Sequence, residues 1–284
     1  MERERRTGRA VGAFLGLTFA STWALWAVVI RASANHGASS TATGPTLGGP
    51  VFLLGVFAPG IVALALTAWH GGHQALAALL RRIVQWRVPL RLYAFALLLM
   101  PLTKLAVALL VRATTGAWPR FGETHPVILV AATVLSTVGQ VGEEVGWRGY
   151  LLPRLTERTG LATASVIVGI IWAAWHLPLF FTPGANTYHQ SFPLYALQLT
   201  AYSIALAWLY WRSGGSLLLT MFMHAAFNNM KDIVPSLGVA AGHVFTFDST
   251  LVFRLTVLVL WIAGAVLLVR MRHAPRQING SNAA

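Results

Sequence analysis

Four side chains able to move protons or hold an oxyanion stand inside apolar stretches of this chain: Glu143, His176, His224 and Asn228. Glu143-Glu144 is the most informative pair, because the whole chain carries only 8 acids and ionisable groups at membrane depth are costly unless paired or hydrated. On a helix Glu144 and Arg148 are four residues apart with the acid first, the favourable order, so Glu144 is expected to neutralise Arg148 as a structural ion pair. Glu143 then points about 100° away with no local cation, free to act as a general base on water. Gly142 and Gly146 are small residues four apart around it, a pattern that lets a neighbouring helix come close.

His176 lies one turn after Trp172 in Trp172-Ala-Ala-Trp175-His176-Leu-Pro178, where Pro178 frees the carbonyl of Ala174 and can bend the helix towards a cavity. A lone histidine in an apolar helix is more often a helix-helix contact than a catalyst, so its weight comes from company. His224 and Asn228 supply that company, being four apart on one helix face. Two chemistries fit the set. In one, Glu143 and His176 share and activate a water while His224 and Asn228 hold the oxyanion. In the other, Glu143, His176 and His224 ligate zinc or another divalent metal, with a water in the open position and Asn228 in support. The residues themselves leave both open.

Other membrane-protease chemistries lack their residues. There is no His-Glu-x-x-His helix, and Asp232 and Asp248, the only aspartates, fall in a predicted loop. Gly214-Gly215-Ser216 reads as the start of a helix rather than as a serine nucleophile.

These residues must be carried by membrane-spanning helices. The chain is 56% hydrophobic and 10% charged, far too few charges to wet a soluble surface, and its solvent is therefore the lipid bilayer. Apolar stretches of spanning length occur eight times, near 10–30, 50–69, 91–112, 126–147, 162–181, 193–211, 214–230 and 250–270. The expected fold is an all-α polytopic membrane protein forming a single domain over 1–284, with a motif-bearing core at 133–230. The first stretch exceeds a signal-peptide core, so Ala32-Ser33-Ala34 is read as part of an uncleaved span. Leu76, Leu79, Leu80 and Ile83 recur at helical intervals between the second and third spans, either as a helix lying on the leaflet or as a charged connection.

The 21 Lys and Arg residues sit mostly in short connecting segments, a pattern that sets topology and does not suggest nucleic-acid binding. Arg3, Arg5, Arg6, Arg9, Arg81, Arg82, Arg87, Arg91, Arg154, Arg158, Arg212, Arg270, Arg272 and Arg276 fall on one side when spans are counted alternately. The Ser/Thr/Gly-rich loop 32–49, the loop with Arg112, Arg120 and Glu123, the uncharged loop 182–192, and Lys231 with two aspartates fall on the other, so both termini are expected in the cytoplasm. The zero cysteines exclude disulfides and a thiolate nucleophile. A depth problem remains: if the fifth span starts near Leu161, His176 lies about 22 Å in, whereas Glu143 is shallower on these boundaries. Either the fourth helix runs well past Arg148 or a boundary is displaced.

The combination resembles the family of intramembrane proteases that includes the CAAX prenyl endopeptidase and the abortive-infection or bacteriocin-processing membrane proteins. Its Glu-Glu-x-x-x-Arg motif stands here as Glu143-Glu144-Val-Gly-Trp-Arg148, followed by Gly149-Tyr150-Leu-Leu-Pro153. Phe-x-x-x-His stands as Trp172-Ala-Ala-Trp-His176, an aromatic exchange expected to be mild, and His-x-x-x-Asn as His224-Ala-Ala-Phe-Asn228. The resemblance implies an all-helical fold, catalysis by Glu143 with His176, and a cavity reached from the membrane or cytosol. Its members are called metalloproteases, although a metal-free glutamate mechanism has been argued for the eukaryotic branch. The expected partners are the lipid bilayer and a membrane-associated or lipidated polypeptide substrate, and the expected location is a bacterial plasma membrane. The alternatives are a proteolytically inactive family member serving as a scaffold or transporter accessory subunit, which has no need of all four residues, and a small-solute transporter, whose paired broken helices the chain lacks.

Overall fold

The computed structural model describes residues 2–36, 46–188, 190–235 and 247–274. Residues 37–45 of the Ser/Thr/Gly-rich loop and the polar tail from 275, with Arg276, lie outside the described residues. Every regular element described is helical, and seven helices are long and apolar enough to cross a membrane. The chain is thus an all-α polytopic integral membrane protein.

Helix α1 (Glu2–His36) packs along α2 (Pro50–Ile83), and α3 (Leu90–Thr115) returns across the bundle. Next comes one continuous helical rod from Pro126 to Thr159. It is built of α4 (Pro126–Ser136), a 3-10 turn (Thr137–Gln140), α5 (Val141–Glu144), a π-helical segment (Val145–Leu151) and α6 (Leu152–Thr159). The rod resolves the depth problem, because the fourth helix does run past Arg148. Gly160, at φ 78°, turns the chain into α7 (Leu161–Trp175), which packs along α8 (Phe192–Arg212). The last elements are α9 (Leu217–Met230) and α10 (Phe247–Met271).

Three sequence expectations change in detail. The seventh apolar stretch, 214–230, yields α9 of only 14 residues, about 21 Å long and shorter than a full span. It is packed by α2, α3, α4 and α8 and buried along most of its length, so it is an inner helix of the bundle. Asp248 falls in the first turn of α10 rather than in a loop. The segment 75–83 is helical, and it is the last part of α2 after a break at Gly72, whose φ of 66° and ψ of −168° redirect the chain. Gly214 and Gly215 have positive φ and Ser216 caps α9 by accepting from the N–H of Leu219 at 3.2 Å, so Gly214-Gly215-Ser216 is a helix start.

Candidate active site

The two glutamates occupy adjacent positions and go to different partners. Glu144 and Arg148 are both 0% exposed and pair at 2.8 Å, as their spacing predicts. Nδ1 of His224, on α9, lies 2.9 Å from the same Oε1 of Glu144. A carboxylate only accepts, so that nitrogen carries a proton and donates. Glu144 therefore holds His224 in place as well as neutralising Arg148, a link that connects α5 to α9.

Glu143 turns instead towards α7. Its Oε2 accepts a 2.6 Å hydrogen bond from the indole Nε1–H of Trp172. The Arg148 guanidinium lies over the same indole, with Cζ 4.3 Å from the ring centroid, and His224 meets it edge-on at 5.1 Å. Trp172 thus bonds Glu143 directly and packs against Arg148 and His224, the two partners of Glu144. The sequence treats it as an aromatic exchange of little consequence, but phenylalanine has no N–H and could not make the bond to Glu143. The missed signal is that an indole, unlike a phenyl ring, carries an N–H donor, here four residues before a histidine.

His176 occupies the end of α7 rather than the middle of a bent helix. Pro178 lacks an N–H and its ring crowds the carbonyl four residues back, so α7 stops at Trp175 and Leu177–Phe181 continues as a 3-10 turn. Nδ1 of His176 lies 2.9 Å from the Trp172 carbonyl oxygen. A carbonyl only accepts, so Nδ1 bears the proton and Nε2 is left with a lone pair. The ring is packed edge-on by Trp175 and Tyr195 at 4.7 and 5.6 Å.

Glu143, His176, His224 and Asn228 all line one cavity of about 450 Å³, together with Trp172 and Tyr195. The four predicted residues therefore converge. Asn228 is the most open of them, on the cavity wall, with its amide 3.4 Å from Gln140 Oε1. Among the described residues no three His, Asp or Glu side chains stand close enough together as placed to hold an ion. His224 and His176 use Nδ1 and Glu143 uses Oε2 in their hydrogen bonds, so each keeps a second nitrogen or oxygen able to donate to a metal.

Helices without any motif hold the site together. An added Cβ at Gly142 would fall 2.7 Å from Phe57 Cα, and one at Gly146 would fall 2.7 Å from Pro59 Cβ. The glycine pair thus lets α2 lie directly on the glutamate segment. From α1, the Trp23 indole N–H donates to the Trp175 carbonyl at 3.0 Å, and Trp26 packs on the Trp175 ring at 4.8 Å, fixing the end of α7 beside His176.

The sequence of the family described as type II CAAX prenyl endopeptidase Rce1-like matches residues 125–230, the stretch that carries all three motifs. The chain is also similar to a protein named CAAX prenyl protease 2 from Methanococcus maripaludis. The two are 27% identical over 228 residues, covering 76% of this chain and 82% of the archaeal protein.

Proposed function

We propose that this chain, an intramembrane protease of the Rce1-like CAAX endopeptidase type, hydrolyses a peptide bond of a membrane-associated or lipidated polypeptide with water activated by Glu143 and His176. The observation that carries the reading is that a carboxylate and a bare imidazole nitrogen face the same cavity, each held by a hydrogen bond to Trp172. Glu143 takes the proton of a water as it attacks the scissile carbonyl, with His176 Nε2 accepting from the same water and orienting it. The oxyanion is held by the Asn228 amide N–H, with the His224 ring beside it, oriented by its Nδ1–H bond to the buried Glu144 carboxylate. Proton return from Glu143 to the amine releases the product. Every step of this reading runs through side chains of this chain.

The test is cleavage of a lipidated model peptide by purified full-length protein. Glu143→Ala or His176→Ala is expected to abolish turnover while the protein still elutes as a folded species, and wild-type activity should survive a chelator that leaves no bound zinc. Equal turnover by the wild type and Glu143→Ala would reject the assignment of the base, and loss of activity restored by added zinc would reject the metal-free route.

The orientation that goes with this reading puts both termini in the cytoplasm. Arg81 and Arg82 end α2, and Arg158, Arg212 and Arg270 stand in the last turns of α6, α8 and α10. The cavity is lined at its mouth by Gly48, Asn186 and Lys231, which lie at the other ends of the helices. The arginine rule then directs the mouth away from the cytoplasm, whereas the family resemblance implies entry from the membrane or cytosol. Both statements hold together only for lateral entry from the membrane, which suits a substrate already held in the bilayer.

A further inference from the structure

We propose that the arginine-lined cavity at the end of α2 is a binding site for the phosphate headgroup of an anionic membrane phospholipid. It lies at the end of the bundle opposite the mouth of the reaction cavity and shares no lining residue with it, so it stands independently of the hydrolytic reading.

The cavity, of about 420 Å³, is formed where the last turn of α2 and the connection to α3 meet the turn between α8 and α9. Arg81, Arg82 and Arg87 line it together with Val84, Trp86 and Gly214, and no Asp or Glu does. Among the described residues no carboxylate pairs with any of these three arginines. Like charges gathered around one cavity repel, and an anionic ligand offsets that cost.

The walls are fixed by tertiary contacts. Tyr210 accepts a hydrogen bond from Arg82 Nη1, which aims the guanidinium and leaves its other N–H groups for a further acceptor. Gln85 is tied twice: its side-chain amide donates to the Ser213 carbonyl at 2.9 Å, and its own carbonyl accepts from the Ser216 hydroxyl at 2.6 Å. Gly214 and Gly215, with φ of 67° and 91°, make the tight turn that brings Ser213 and Ser216 against α2. These bonds join residues 128 to 131 apart in the chain, so the arginines line a built pocket rather than a loose basic loop.

The guanidinium fork matches phosphate, whose oxygens accept two parallel N–H bonds. The surroundings identify the carrier of that phosphate. Leu80, Val84, Trp86 and Leu90 are all exposed around the arginines. Apolar side chains left bare beside cations belong at the headgroup boundary, where tryptophan also sits. An acyl chain leaving the pocket has Leu80 and Val84 to lie on, whereas a soluble phosphate leaves them uncovered. A basic pocket between spans at this level takes an anionic headgroup.

For the test, full-length protein in an uncharged detergent is titrated with dioctanoyl phosphatidylglycerol, dioctanoyl phosphatidylcholine or glycerol phosphate. Occupancy by the first ligand is read by native mass spectrometry. Phosphatidylglycerol should bind roughly tenfold tighter than phosphatidylcholine, whose choline cation the arginines repel, and glycerol phosphate should not bind in the same range. Arg81→Gln with Arg87→Gln should bring phosphatidylglycerol down to the phosphatidylcholine level. Arg91→Gln with Arg270→Gln removes the same charge from exposed positions outside the cavity and should change the affinity by about twofold or less. Arg82 is kept in both because Tyr210 binds it. Equal binding of the two lipids by the wild type, or equal losses in the two double variants, would overturn the site. Glycerol phosphate binding as tightly as phosphatidylglycerol would overturn the lipid and make the ligand a soluble phosphate. The comparison of ligands on the wild type decides the matter even where a variant does not fold.

Discussion

Trp172 serves the site through three of its parts. Its indole N–H holds Glu143, its ring face receives Arg148, and its carbonyl fixes the tautomer of His176. Only the first of these is beyond phenylalanine, which makes Trp172→Phe a clean probe of what the exchange contributes. A hydrogen bond to a charged group contributes about 1.5–3 kcal/mol, so the variant should lose roughly ten- to a hundredfold in kcat/KM. Its melting temperature should change little, because the ring still packs between α5 and α9. Activity within twofold of the wild type would show that Glu143 needs no such partner. The four candidate residues were legible in the sequence because each is a polar group at a depth where polar groups are costly. Trp172 was not, since an aromatic residue in an apolar helix needs no special reason. Nor could sequence spacing show that Glu144 serves His224 as well as Arg148, because that contact joins residues 80 apart.

The element that aims these groups is the rod from Pro126 to Thr159, which changes helical type on either side of Glu143 and Glu144. A 3-10 turn is tighter than an α-helix and a π-helical segment is wider, so the pair of departures sets the directions of the glutamates independently of the rest of the rod. Such segments have no residue signature, and a regular 3.6-residue period predicts only an ordinary span. The glycine pair does have a signature, and its expected role is met: α2 approaches so closely at Gly142 that a side chain there would meet the backbone of Phe57. Gly142→Ala should force α2 away, cost about 1–3 kcal/mol and lower the melting temperature by roughly 3–10 °C, with loss of activity. A variant that melts with the wild type would mean that the contact between α2 and α5 is looser than its geometry.

For the whole molecule the decisive question is which face of the membrane the cavity opens towards. The chain has no cysteine, so single cysteines report topology without background. Asn186 is exposed beside the cavity mouth, and Arg87 is exposed in the arginine-rich connection between α2 and α3. On intact cells a membrane-impermeant maleimide should label Asn186→Cys and should reach Arg87→Cys only after lysis. The opposite pattern would invert the proposed orientation and put the cavity mouth in the cytosol.

Composition alone established the solvent, since a chain this apolar can satisfy its backbone only as helices in lipid. The motifs singled out the residues that line the cavity, because polar groups in apolar spans are costly and stand out against their surroundings. Tertiary structure decided what no local pattern encodes: which glutamate faces the cavity, that α9 is an inner helix, and that Lys231 shares a wall with His224. Those facts depend on contacts between residues far apart in the chain and on a helix that changes its pitch, and both arise from packing the whole bundle rather than from any one segment.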